Sequence, residues 1–131
     1  MNAADAEAVR ARVTAATPTV ACYDAEPTAP PNQYAVLYDG APVAPLARLA
    51  GRPVDDTVTF RLVVIARTTD GLRAAVDAVR AQLVGWRVKD DRNFTPLAQV
   101  QAGDLLPTGE SGDRRISQTL VFRYTRPFGG N

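Results

Sequence analysis

Apolar and polar positions alternate with period two over Thr57 to Ala66 and then change to a spacing of three and four over Leu72 to Leu83. Val58, Phe60, Leu62 and Val64 fall on one side of an extended chain. Thr59 and Arg61 fall on the other, followed by Val63 and Ile65. Such a segment begins one-sided and ends apolar on both faces, which predicts a central strand partly covered by a helix. Leu72, Val76, Val79 and Leu83, with Ala75 beside them, form the stripe of that helix, while Arg73, Asp77 and Arg80 point outward. Thr69 or Asp70 is placed to cap it, Gly71 allows a tight start, and Gly85 stops it as a C′ residue. Phe60 to Lys89 therefore reads as strand, turn, amphipathic helix, glycine stop and second strand. That second strand is predicted from Trp86 to Lys89, before a polar turn at Asp90, Asp91, Arg92 and Asn93.

The rest of the chain is less periodic. Ala6, Val9, Val13 and Ala16 recur at helical spacing, which predicts a helix over Asp5 to Ala16, capped by Asn2 or Asp5 and stopped by Pro18. Its stripe consists of small residues, so it needs a docking surface, on its own sheet or on a neighbouring subunit. Thr19 to Tyr23 reads as a short strand. Asp24 to Gln33, with Pro27, Pro30 and Pro31, must be an extended loop. Tyr34, Val36 and Tyr38 alternate with Ala35 and Leu37, followed by a turn signal at Asp39-Gly40. Ala41 to Asp56 holds Pro42, Pro45, Gly51 and Pro53 around Leu46 and Leu49; it is a candidate contact arm or a surface loop with one helical turn. Leu97 to Gln101 reads as a short strand and Gly103 to Asp113 as a mobile loop. Arg114 to Arg126 reads as the last strand, with Ile116, Leu120, Phe122 and Tyr124 on one face and Gln118 among them. The order predicts one domain over residues 1–131, an α+β fold with a mostly antiparallel mixed sheet, two helices packed on one face, and long inter-strand loops.

Composition narrows the function classes. With 131 residues and 46% hydrophobic content the chain can build one sizeable core. Fifteen basic and fourteen acidic residues leave a net charge of +1, so nucleic acid or an acidic membrane is not indicated as the main partner. Lys89 is the only lysine, a mark of a GC-rich genome before it is a mark of function. The one cysteine, Cys22, lies in an apolar run and reads as a small core residue. The N-terminus lacks the apolar stretch of a signal peptide, and no apolar run approaches a membrane span. Synthesis and use in the cytoplasm are expected.

The chemistry of catalysis finds no footing. The sequence has no histidine, which removes the usual Ser–His and Cys–His pairs, and zinc ligands are missing. Asp55-Asp56 and Asp90-Asp91 are adjacent acids of the kind found in solvated turns, without calcium-loop spacing. Gly103 to Gly112 lacks the ending of a phosphate loop. Arg114-Arg115 could touch phosphate or carboxylate, or could simply be two exposed residues where a strand begins. Tyr34, Tyr38, Phe60, Trp86, Phe122 and Tyr124 read as core aromatics. No enzyme, no cofactor and no metal site are expected.

Three phrases carry a family resemblance: TFRLVVIARTTDGLRAAVDAVRAQLVGWRV, PLAQVQAGDLLPTGESGDRRISQTLVFRYTRP and, upstream, YAVLYDGAP. In order, length and loop placement the chain resembles tail terminator, or tail completion, proteins of long-tailed phages infecting actinobacteria. The resemblance covers most of the chain and involves no catalytic motif. It implies a structural virion protein whose subunits form a hexameric ring. The ring would cap the tail tube, end tube polymerisation and offer the head-joining surface. Its partners would be further copies of itself, the tail tube protein and head–tail connector proteins. DNA would only pass through the lumen, no membrane would be involved, and the protein would sit at the head-proximal end of the tail after assembly in the host cytoplasm. A head–tail connector or other minor tail protein is the alternative. A closed ring needs two different patches per subunit. Glu110, Asp113, Arg114 and Arg115 are the expected contact residues of the late loop, and Leu46 and Leu49 the apolar anchor of the arm.

Overall fold

The computed structural model describes residues 1–17, 20–39, 56–108 and 114–127. In chain order they form α1 (Ala3–Thr14), β1 (Ala21–Tyr23), β2 (Gln33–Asp39), β3 (Asp56–Ala66), α2 (Thr69–Leu83), β4 (Ala98–Ala102), β5 (Leu106–Thr108) and β6 (Arg115–Arg126). The expected α+β class holds. One six-stranded sheet runs β1-β2-β3-β6-β4, with β5 also paired to β6, and both helices lie on one face. β1 runs parallel to β2; the other pairings are antiparallel.

The period-two pattern of β3 sets which residues face the helices. Val58, Phe60, Leu62 and Val64 join Val9 and Val13 of α1, and Leu72, Val76, Val79 and Leu83 of α2, in one core. Pairing with β6 places Phe60 opposite Phe122 and Leu62 opposite Leu120. The Phe60 and Phe122 rings stack with centroids 5.5 Å apart. Each such buried side chain contributes about 1.5–3 kcal/mol of apolar transfer. On the opposite face Tyr34, Val36 and Ile65 make a second small cluster, with Tyr23 and Val63 at its margin. The alternation expected for Tyr34 to Tyr38 thus divides between two cores.

Both helices begin one residue or more before their predicted starts. The Asn2 side chain accepts from the Asp5 N–H at 2.8 Å, so α1 begins at Ala3. Thr68, not Thr69 or Asp70, caps α2: its Oγ1 accepts from the Gly71 N–H at 3.0 Å. Gly85 has φ of +83°, as a glycine stop requires.

The strand expected at Trp86 to Lys89 does not form. Gly85 donates to the Leu97 carbonyl and Leu97 donates back to that of Trp86, at 2.9 and 2.8 Å. Between them the chain closes a turn at Asp91 to Phe94, and Val88, Phe94 and Leu97 plug the end of the core. A strand needs a neighbour with free backbone groups, and the open edge of β6 is taken by β4. The expected loop at Gly103 to Asp113 likewise contains a strand, β5, which pairs Leu106 to Thr108 with Ser117 to Arg115. Among the described residues the number of strands equals the number predicted, with one of them at a different place. Residues 40–55 and 109–113 lie outside the described residues.

Candidate interaction surfaces

The last strand carries a buried arginine at each end. Arg126 is 8% exposed and donates to Asp5 Oδ2 at 2.7 Å. The same oxygen accepts from the Tyr124 hydroxyl at 2.6 Å, and the guanidinium lies over the Phe94 ring. Burial first, and then the Asp5 carboxylate, push the Tyr124 phenol well above its ordinary range. Asp5, offered by the sequence as an alternative cap of α1, is instead the anchor that fastens the helix to the end of β6. No sequence signal links positions so far apart in the chain.

At the other end Arg115 is 4% exposed. Its guanidinium donates to the carbonyl oxygen of Pro31 at 2.6 Å and lies 5.6 Å from the centre of the Tyr34 ring. Tyr34 donates its hydroxyl to Glu26. Together these contacts fasten the proline-rich segment after β1 across the second apolar cluster. The prolines have no N–H to donate, so their carbonyls are the groups available for capture.

This corrects one expectation. Arg114 and Arg115 were grouped as contact residues at the start of a strand; Arg114 is exposed, but Arg115 is buried inside its own subunit. Alternation along the strand sends neighbouring side chains to different surroundings. Leu46, Leu49, Glu110 and Asp113 lie outside the described residues. Among the aromatics, Tyr34, Phe60, Phe122 and Tyr124 are buried as expected, whereas Trp86 is half-buried and Tyr38 is exposed beneath Arg61. The polar Gln118 in the apolar stripe of β6 also has a reason: its amide donates to the Gly103 carbonyl at 2.9 Å and holds the turn between β4 and β5.

Apolar exposure among the described residues is concentrated. Val100, Leu105 and Leu106 lie on the edge formed by β4 and β5, and Val84 follows α2. A groove between that edge and α2 is lined by Arg73, Arg80, Gln99 and Leu105. A second hollow of about 480 Å³ lies between the end of α1 and the end of α2, lined by Arg12, Val84, Trp86, Arg87 and Asp90. Arg12 Nε donates to the Gln82 carbonyl at 3.0 Å and its guanidinium lies over Trp86, which fixes one wall.

Among the described residues no three His, Cys, Asp or Glu side chains gather at metal-binding distance. Cys22 is half-buried against the core, and desolvation pushes its thiol up to about 12, with Arg10 opposing and Asp24 reinforcing the shift. It is protonated and a poor nucleophile near neutral pH. Among the described residues no helix is long and apolar enough to cross a membrane.

No protein-family model matches this sequence, and no match was found among curated proteins. Among solved structures the fold is similar to that of a chain in the virion of a native gene transfer agent (GTA) particle. The identity is 23%, the TM-score 0.58, and the match covers 92% of this chain and 84% of that one. At that identity the likeness is one of fold: the arrangement of helices and sheet is shared along nearly the whole chain.

Proposed function

We propose that this protein is a structural virion component of a phage-like particle, and specifically a tail terminator. In this reading its subunits form a ring, a hexamer in the family it resembles, that caps the tail tube and ends tube growth. The opposite face of the ring receives the head–tail connector, and DNA passes through the lumen. The observation that carries the coarser part is the fold shared with a gene transfer agent virion chain over 92% of this sequence. The finer part rests on the resemblance of the strand–helix and late-loop phrases to terminator proteins. The protein acts by binding and by occlusion, with no catalytic step. Its place is the head-proximal end of the tail, reached after assembly in the host cytoplasm.

The test is a tube-binding assay with purified protein and tail tubes from the cognate particle. Labelled protein is expected at one end of each tube, and pre-bound protein is expected to stop elongation by added tube subunits. Binding to heads alone would move the assignment to a head–tail connector. Binding to neither would overturn the virion reading.

A further inference from the structure

We propose that the sheet face bare of helices binds the phosphate backbone of duplex DNA through Arg61 and Arg123, an inference that rests on the ring reading and names the wall its DNA meets. Alternation along β3 and β6 puts both arginines on the other side of the sheet from the core rings Phe60 and Phe122. Thr59 pairs with Arg123 and Arg61 with Val121, so the arginines are diagonal neighbours on adjacent strands, about 7–8 Å apart at their backbones. Both are exposed. Arg61 lies over the ring of Tyr38, its direct partner on β2, 5.6 Å from the centre. Thr57 and Thr125 form the next pair along this face, and Val63 and Thr119 the pair on the other side. Toward β6's Arg115 end the proline-rich segment lies over this face; from Val63 to Thr57 no described element does.

Charge on this face is unbalanced, although the whole chain carries only +1. Among the described residues neither arginine pairs with a carboxylate. Asp39, next to Tyr38, is the partner of Phe60 and so belongs to the helix side. The exposed acids Glu7, Asp70 and Asp77 belong to the helices themselves. What the bare face offers is two cations flanked by threonine hydroxyls. Arginine and hydroxyl groups are the common donors to phosphate oxygens, and they bind without reading sequence. A protein partner would call for an apolar centre with charge at its rim. Here the arginines hold the centre, and the apolar Val63 and Val121 are half-buried. Two such contacts per chain are weak alone and add up when chains stand around one duplex.

The test is fluorescence anisotropy of a short labelled duplex titrated with the full chain over a salt series starting at low salt. The parent should bind, more weakly as salt rises. Arg61→Gln with Arg123→Gln, both at exposed positions, should melt like the parent, weaken binding about tenfold and lower the slope of log affinity against log salt by about two. Thr59→Glu, which sets an acid beside both arginines without removing either, should weaken binding as well. Arg73→Gln with Arg80→Gln makes the same charge change on α2 and should leave affinity within about twofold, since those side chains stand on the other face. Equal losses from the two double variants, or no binding by the parent at low salt, would overturn the DNA contact. Tighter binding of polyglutamate than of the duplex at the same salt would assign the face to an acidic protein and overturn it too. Tube capping by the parent is scored alongside. Capping without DNA binding through this face would overturn the contact and leave the terminator reading standing. DNA binding through this face without capping would overturn the terminator reading and leave the contact. Absence of both would overturn the two together.

Discussion

The two ends of β6 solve the same problem with different chemistry. Each buries an arginine beside an aromatic ring. At the Arg126 end the charge meets the Asp5 carboxylate, brought by a helix from the opposite end of the chain. At the Arg115 end the guanidinium holds the carbonyls of a proline-rich segment and lies over Tyr34. The first arrangement locks a regular element onto the core; the second fastens an irregular one onto the opposite face of the sheet. A buried charge loses hydration wherever it sits, so each end must return hydrogen bonds in full. The comparison sets a carboxylate that binds both a phenol and a guanidinium beneath α1 against prolyl carbonyls held by a guanidinium on the outer face.

The largest effect is expected from Asp5→Ala. It leaves Arg126 buried without that carboxylate and should cost about 3–5 kcal/mol, read as a lowered urea midpoint with loss of α1 protection in hydrogen exchange. A variant of unchanged stability would break the comparison at this end. Arg115→Ala should cost less, about 1–3 kcal/mol for carbonyls left unsatisfied. Its signature should be local: early proteolysis between residues 24 and 32, with α1 protection unchanged. If α1 loosened equally, the two ends would not be independent.

Alkaline pH sharpens the contrast from the Tyr124 side. The folded-state phenol is held above its usual value by burial and by Asp5. The unfolded chain therefore releases its proton first, at about pH 10, and stability is lost as pH rises beyond that point. Tyr124→Phe should start less stable at neutral pH and show a flatter decline above it, measured by urea denaturation across the alkaline range. Thr68→Ala should cost about 1 kcal/mol for the lost α2 cap, read as a lowered urea midpoint. The smallest stability change belongs to Arg114→Glu. Its side chain is exposed, and the melting temperature should not move; in the terminator reading, tube capping or head joining should weaken. Normal assembly with this variant would remove Arg114 from the proposed contact surface.

The strand–helix unit was legible because its signals are local. Alternation in β3, the Leu72–Leu83 stripe and the Gly85 stop each concern residues a few positions apart, and each appears in the structure with boundaries shifted by a residue or so. The Trp86 to Lys89 segment misled for the same reason: four residues of strand-like composition look alike whether or not a neighbour is free to pair with them. β5 was hidden in a loop rich in glycine and proline, and it exists because β6 extends past β4 and offers further partners. Within the candidate surfaces, Arg114 and Arg115 looked equivalent in sequence, and only packing separated an exposed charge from a buried one.

By itself, then, the sequence determined the class of fold, the faces of its central strand and main helix, and the lack of the residues that common catalytic sites need. Those properties follow from periodicity and composition, which act over one or two turns of chain. Tertiary structure decided which edge of β6 was filled and that Asp5 meets Tyr124 and Arg126 across the length of the chain. Those outcomes depend on which distant segments come within bonding distance, and distance in space is not written in local spacing.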